Sequence, residues 1–159
     1  LDTVLIGCFN DDEIKDFLAL TMDHPWEVRF IELMPMGPCA QWENSCFLPV
    51  EHILKNNPAL QILSTEGVAR RYRLPQALGT VGLISPVSHD FCGACRRIRV
   101  TADGQLKGCL HSREERPLRG LHGEALQSAI RAGIVQKPSR HHLADRPSDT
   151  PRTMNQIGG

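Results

Sequence analysis

The chain has 159 residues, 41% of them apolar, 23% charged and 5% aromatic, with Lys+Arg and Asp+Glu equal at 18 each. Low-complexity disorder is excluded over most of the length by the apolar content and the absence of net charge, and no apolar run is long enough to span a bilayer. The length allows one domain of ordinary size, or pieces of two.

Leu1–Ile6 predicts a strand, with no secretory signal before it and no initiator Met, so the chain reads as a fragment whose N-terminal part is missing. Asn10-Asp11-Asp12 then leads into a helical pattern with Ile14, Phe17, Leu18 and Met22 on one face. Asn10 or Asp11 is placed to cap that helix, and Asp12 and Glu13 suit the positive end of its dipole. Glu27–Met34 predicts a second strand, ending at Pro35-Met36-Gly37. Strand, helix and strand make a β-α-β unit, whose strands run parallel. Arg29 and Glu32 fall on opposite faces of the second strand. A barrel lumen accommodates one charged face more readily than an open two-layer sheet does. Residues 37–48 read as a long loop and Val50–Asn56 as a short helix. Between residues 60 and 88, strand candidates such as Tyr72–Leu74 and Thr80–Ser85 alternate with Gly and Pro and predict antiparallel, α+β packing.

From Phe91 to His111 the cysteines Cys92, Cys95 and Cys109 make a C-x2-C-x13-C pattern. Asp103-Gly104 predicts a two-residue hairpin turn that pairs Ala102 with Gln105, Arg99 with Gly108 and Ile98 with Cys109. That register returns Cys109 towards Cys95. It also sets Arg97 and Arg99 on one face, with Gly108 leaving room opposite Arg99. A helix follows from about Gly123 to Ile134, with Leu126, Ala129, Ile130 and Ile134 on one face. The remaining segment, with Pro138, Pro147, Pro151, His141 and His142, reads by default as a mobile terminus.

Without secretory context, a CxxC with a third downstream Cys favours metal or redox chemistry in a reducing compartment over a disulfide framework. Cys8, Cys39 and Cys46 carry no such pattern. Structural zinc wants four closed ligands and would need His111 or His89. A 4Fe-4S cluster takes three thiolates and leaves one iron open. Spacing alone does not separate the two. Arg97 and Arg99 would grip phosphate or carboxylate beside such a site, and serve equally well as exposed strand charges. Met34 stands at the carboxyl end of a parallel strand, where ligands collect in α/β folds, although methionine is more often core. Residues 1–91 carry 6 Lys/Arg against 12 Asp/Glu, and residues 92–159 carry 12 against 6. The basic half suits an anionic partner or a solvated surface. A zinc ribbon that binds nucleic acid through that half is the competing assignment.

The sequence resembles the C-terminal half of the GTP 3',8-cyclase family, radical S-adenosylmethionine enzymes that start molybdenum-cofactor biosynthesis. The resemblance is carried by Asp2-Thr3-Val4-Leu5, Asn10-Asp11-Asp12-Glu13-Ile14, Arg29 to Gly37, Phe91-Cys92 to Cys109-Leu110 and Met154-Asn155-Gln156-Ile157-Gly158-Gly159. It implies an α/β fold: the last part of an incomplete radical-SAM (β/α) barrel over residues 1–48, a small α+β iron–sulfur cluster domain over 49–135, and a functional C-terminal tail over 136–159. It implies that Cys92, Cys95 and Cys109 hold an auxiliary 4Fe-4S cluster whose open iron faces the guanine. Arg97, Ile98 and Arg99 would lie at the GTP site, the arginines on its phosphates. Met34 would line the S-adenosylmethionine pocket, with Arg29 a weaker candidate for the anionic site. Gly158 and Gly159 would reach into the barrel and serve the radical step. In the implied reaction a 5'-deoxyadenosyl radical takes hydrogen from the ribose 3' carbon, and the substrate radical closes on guanine C8. The implied partners are GTP and the missing N-terminal half, in a cytoplasmic homo-oligomer when complete, with no membrane and no nucleic acid. Two departures stand out. Arg96 occupies a position where the family usually has Asn, and the CxxxCxxC that binds the second, radical-generating 4Fe-4S cluster is absent. The chain is therefore predicted inactive alone.

Overall fold

Two strands, β1 (Asp2–Leu5) and β2 (Glu27–Glu32), run parallel and are linked through the helix α1 (Ile14–Asp23), as the β-α-β pattern requires. The computed structural model describes residues 1–65, 67–143, 145 and 147–157. The chain forms two compact units, Leu1–Leu33 with Glu43–Phe91 and Met34–Trp42 with Cys92–Gly159. Strand β5 (Thr80–Ile84), far along the chain, hydrogen-bonds to the open edge of β2 and so joins the first unit together.

The first unit is a five-stranded sheet in the order β1-β2-β5-β4-β3, with β3 at Gln61–Ser64 and β4 at Arg70–Arg73. Strand β4 is antiparallel to both β3 and β5, as expected, but β5 is parallel to β2. Register explains the join: Val28 aligns with Val81 and Phe30 with Leu83, so all four continue one apolar face and are almost completely buried. Ile14 and Leu18 of α1 and Ile53 of the helix α2 (Glu51–Asn56) close that face, with Leu5, Val50 and Tyr72 completing the core. The opposite face is ionic. Arg29 binds Asp2 through two hydrogen bonds of 2.5 and 2.7 Å, and Arg71 Nε donates to Glu27 at 2.8 Å. Gly82 leaves room for the Arg29 stem, since a Cβ there would lie 2.7 Å from Arg29 Cγ.

Neither Asn10 nor Asp11 caps α1. The chain turns back directly after β1, so the Asn10 carboxamide accepts from Ile6 N–H at 2.9 Å and donates to the Val4 carbonyl at 3.0 Å. It ties off the strand, and the helix begins after Glu13 without a side-chain cap.

The second unit contains a three-stranded antiparallel sheet of β6 (Arg99–Val100), β7 (Gln105–Lys107) and β8 (Arg116–Pro117), with the helix α3 (Gly123–Val135) against β7. Two glycines permit that contact: a Cβ on Gly133 would meet Leu106 Cδ2 at 2.4 Å, and one on Gly108 would meet the Gly133 carbonyl at 2.9 Å. The hairpin register differs by one residue from the expected one, with Arg99 opposite Lys107 and Val100 opposite Leu106. Thr101 N–H donates to Gln105 O at 2.9 Å and Gly104 N–H to Thr101 O at 2.9 Å, with Gly104 at φ +80°. That is a three-residue loop closed by a left-handed glycine, not a two-residue turn. Gly108 therefore serves the close approach of α3 and makes no space for Arg99.

The segment expected to be a mobile terminus packs into this unit as far as it is described. Ile157 is fully buried, and Thr153 and Gln156 form a reciprocal capping box. Gly158 and Gly159 lie outside the described residues. A buried ionic group fastens the segment. Lys107, with no exposed surface, donates to Ser112 O at 2.6 Å, Glu115 Oε1 at 3.1 Å and Thr150 Oγ1 at 3.2 Å. Arg152 grips Glu115 through two bonds of 2.7 Å and reaches Asp103 at 2.8 Å. Lys107→Met should cost about 2 to 3 kcal/mol in urea unfolding. This is near the low end for breaking a buried pair, because Arg152 still neutralises Glu115. Hydrogen bonds from Arg152 hold both carboxyls below the usual range, helped by Lys107 at Glu115 and by Thr101 at Asp103, which falls to about 2. A carboxylate depressed on folding stabilises above its unfolded pKa and loses that contribution as pH falls through the folded value. Amide protection over residues 147–157, relative to the intrinsic rate at each pH, should therefore fall between about pH 4 and the Asp103 value of about 2. Arg152→Met should abolish that pH dependence.

Candidate functional site

Cys92–Ala94 form one 3-10 turn, closed by Cys95 N–H donating to Cys92 O at 3.1 Å. Cys109 comes two residues after β7. None of the three cysteines is in a disulfide, and all are partly exposed. Burial pushes the Cys95 thiol up, but hydrogen bonds from the Arg97 backbone, the Lys137 ammonium and the Arg97 side chain outweigh it and hold the group below an ordinary thiol. Lys137 Nζ lies 3.2 Å from Cys95 Sγ. Such a sulfur is biased towards thiolate, the form that binds metal.

Arg97 and Ile98 are exposed, with Ile98 39% accessible, and Arg99 is half-buried beside the Lys107 position. Arg96 is exposed. Near Cys109, the buried His111 ring stands 3.1 Å from Ser148 Oγ and edge-on to His141 at 5.2 Å. Burial, then the positive neighbours His141, Arg99 and Lys107, push its pKa down to about 4, so it is neutral at pH 7. A cavity of about 130 Å³ opens here between Cys109, His111, Arg140, His141 and Ser148.

Among the described residues, no three His, Cys, Asp or Glu side chains gather into a group that could hold a metal ion. The donor chemistry nonetheless fits a thiolate-ligated cluster: three thiols outside any disulfide, one of them under N–H donors and a cation. His89 belongs to the first unit, where its Nε2 lies 3.3 Å from Glu51. Met34 is half-buried, two residues past the end of β2. Arg29 is committed to Asp2.

Sequence reasoning missed the roles of two residues. Lys137 gave no local signal, because its acceptors lie some forty residues earlier in the chain. Glu32 did give one, since it continues the buried alternation of Val28 and Phe30. Only 3% exposed, its carboxylate accepts from Val50 N–H at 3.1 Å, from Val87 and Ser88 N–H at 2.9 Å each, and from the Ser88 hydroxyl. It thereby ties the segment after β5 to the start of α2.

A mixed α/β chain with this three-cysteine hairpin belongs to the Molybdenum Cofactor Synthesis C family, whose pattern residues 26–143 match. Its relatives include proteins named GTP 3',8-cyclase. That of Alkaliphilus oremlandii is 46% identical over 165 residues, that of Peptoclostridium acidaminophilum 46% over 165, and that of Heliobacterium modesticaldum 40% over 175. Each alignment takes in 100% of this chain but only 52%, 50% and 53% of the respective relative. The chain thus spans about half the length of the curated relatives it matches.

Proposed function

We propose that this chain is the C-terminal part of a GTP 3',8-cyclase, acting in molybdopterin biosynthesis on GTP to form 3',8-cyclo-7,8-dihydroguanosine triphosphate. The observation that carries the reading is the C-x2-C-x13-C segment of a family member, with the Lys137 ammonium 3.2 Å from the Cys95 sulfur. Cys92, Cys95 and Cys109 would hold an auxiliary 4Fe-4S cluster, which when bound offers an open iron to the guanine. Arg97, Ile98 and Arg99 would bind GTP. Arg97 and Arg99, which follow the C-x2-C, carry positive charge that suits a triphosphate. The parallel strands β1, β2 and β5 would be the last staves of the radical-SAM barrel, with the ionic face of Asp2, Glu27 and Arg29 turned to its lumen. Met34 would contact S-adenosylmethionine. Gly158 and Gly159 would enter the barrel and support the radical step. The N-terminal half would supply the second 4Fe-4S cluster, and the whole would act as a homo-oligomer. No helix among the described residues is long and apolar enough to cross a membrane.

The zinc-ribbon assignment would need His89 or His111 as a fourth ligand. His89 is against Glu51, and His111 is engaged by Ser148 and His141. Anaerobic reconstitution should give about four irons per chain with matching sulfide. Stoichiometric zinc without sulfide would overturn the reading. Arg97→Ala and Arg99→Ala should each weaken GTP binding by roughly 1.5 to 3 kcal/mol, the range for charge-assisted hydrogen bonds. Guanosine should lose less, and equal losses for the two ligands would remove the arginines from the phosphates.

A further inference from the structure

Lys137, two residues beyond α3, donates to three acceptors at once: Cys95 O at 2.6 Å, Arg97 O at 2.9 Å and Cys95 Sγ at 3.2 Å. An ammonium has three donors, so its capacity is fully used. The two carbonyls lie just before β6, which begins at Arg99. The main chain of Lys137 meanwhile lies against Gly108, where an added Cβ would stand 3.3 Å from Lys137 Cα. Gly108 immediately precedes Cys109. One residue thus touches both cysteine-bearing segments, the Cys92–Arg97 loop through its side chain and the Cys109 segment through its backbone. Arg96 is nearer in sequence, but its side chain is exposed.

We propose that Lys137 is a positioning residue for the three cysteines, a clasp that holds the Cys92–Arg97 loop to the Cys109 segment and sets one positive charge on the Cys95 sulfur. The proposal rests on the reading of Cys92, Cys95 and Cys109 as cluster ligands. Hydrogen bonds to ligand sulfur and local charge set the potential of an iron–sulfur cluster. The role of Lys137 is therefore readable without turnover.

The test compares the wild-type chain with Lys137→Met and Lys137→Arg. In iron-free protein, hydrogen–deuterium exchange over residues 92–98 should rise about tenfold in Lys137→Met, as loss of charge-assisted hydrogen bonds implies. Strands β2 and β5 should keep wild-type protection. In reconstituted protein, a mediated dithionite titration should give a more negative midpoint potential for Lys137→Met. Lys137→Arg keeps the charge and should bring the potential back towards wild type. Should Lys137→Met lose protection throughout β7 and α3, Lys137→Arg decides: its planar fork cannot serve all three acceptors, so exchange over 92–98 should rise while β7 and α3 stay protected. Unchanged exchange in either variant overturns the clasp, and an unchanged potential in Lys137→Met overturns the charge on sulfur. If the wild-type chain takes up no cluster, the cyclase reading fails and the exchange measurement alone judges the clasp.

Discussion

Replacing Cys92, Cys95 or Cys109 singly with Ala should abolish the iron–sulfur cluster, leaving a colourless chain after anaerobic reconstitution. A cluster with one open iron has only three protein bonds, and two thiolates leave a second iron unprotected. Cys8→Ala and Cys46→Ala should load as the wild type does, because both residues lie in the first unit, away from the hairpin segment in sequence. Cys95→Ala carries an added consequence, since it leaves the Lys137 ammonium with two carbonyls and no sulfur. Iron and sulfide analysis with an absorbance spectrum reads all five variants. A full cluster in any of the three hairpin variants would remove that cysteine from the ligand set.

Glu32→Ala should destabilise the chain by about 4 kcal/mol, measured by urea titration. Four donors converge on this buried carboxylate, three of them backbone N–H groups that cannot turn elsewhere. Each orphaned donor costs about 1 to 3 kcal/mol, and water entering the vacated volume keeps the total below their sum. Glu32→Gln should cost about half as much, because one acceptor oxygen survives while the new amide donor faces other donors. A loss below about 1 kcal/mol for the alanine variant would mean that the segment after β5 is held by other contacts.

Most of the helices and strands are legible because their patterns are local; the two-residue β8 is too short to show one. The Ile14–Leu18 spacing, the Val28–Phe30 alternation and the cysteine hairpin all needed only neighbouring residues. What was not legible depended on partners distant in sequence. That β5 would sit beside β2 follows from matching apolar faces, which two separate strand patterns do not reveal. The hairpin register slipped by one because Gly104 closes a three-residue loop, and Asp103 is drawn to Thr101 and Arg152. Asn10 looked like a cap, and a tight turn gave its amide a nearer partner on β1. At the site, the cysteines and arginines could be named from spacing and Glu32 from the alternation of its strand, while Lys137 and the Lys107 group emerge only once the chain has closed on itself.

The pairing of β2 with β5 also orders events in time. Strands β3, β4 and β5 pair with sequence neighbours through short connections, so their meander can assemble early. Glu27 finds Thr80 only after the intervening loop and α2 have been gathered in, a closure whose entropic penalty precedes its reward. The docking of the β1-α1-β2 half onto the meander is thus the longest-range closure in the first sheet. During synthesis the β2 edge emerges first and must wait for β5 to cover it.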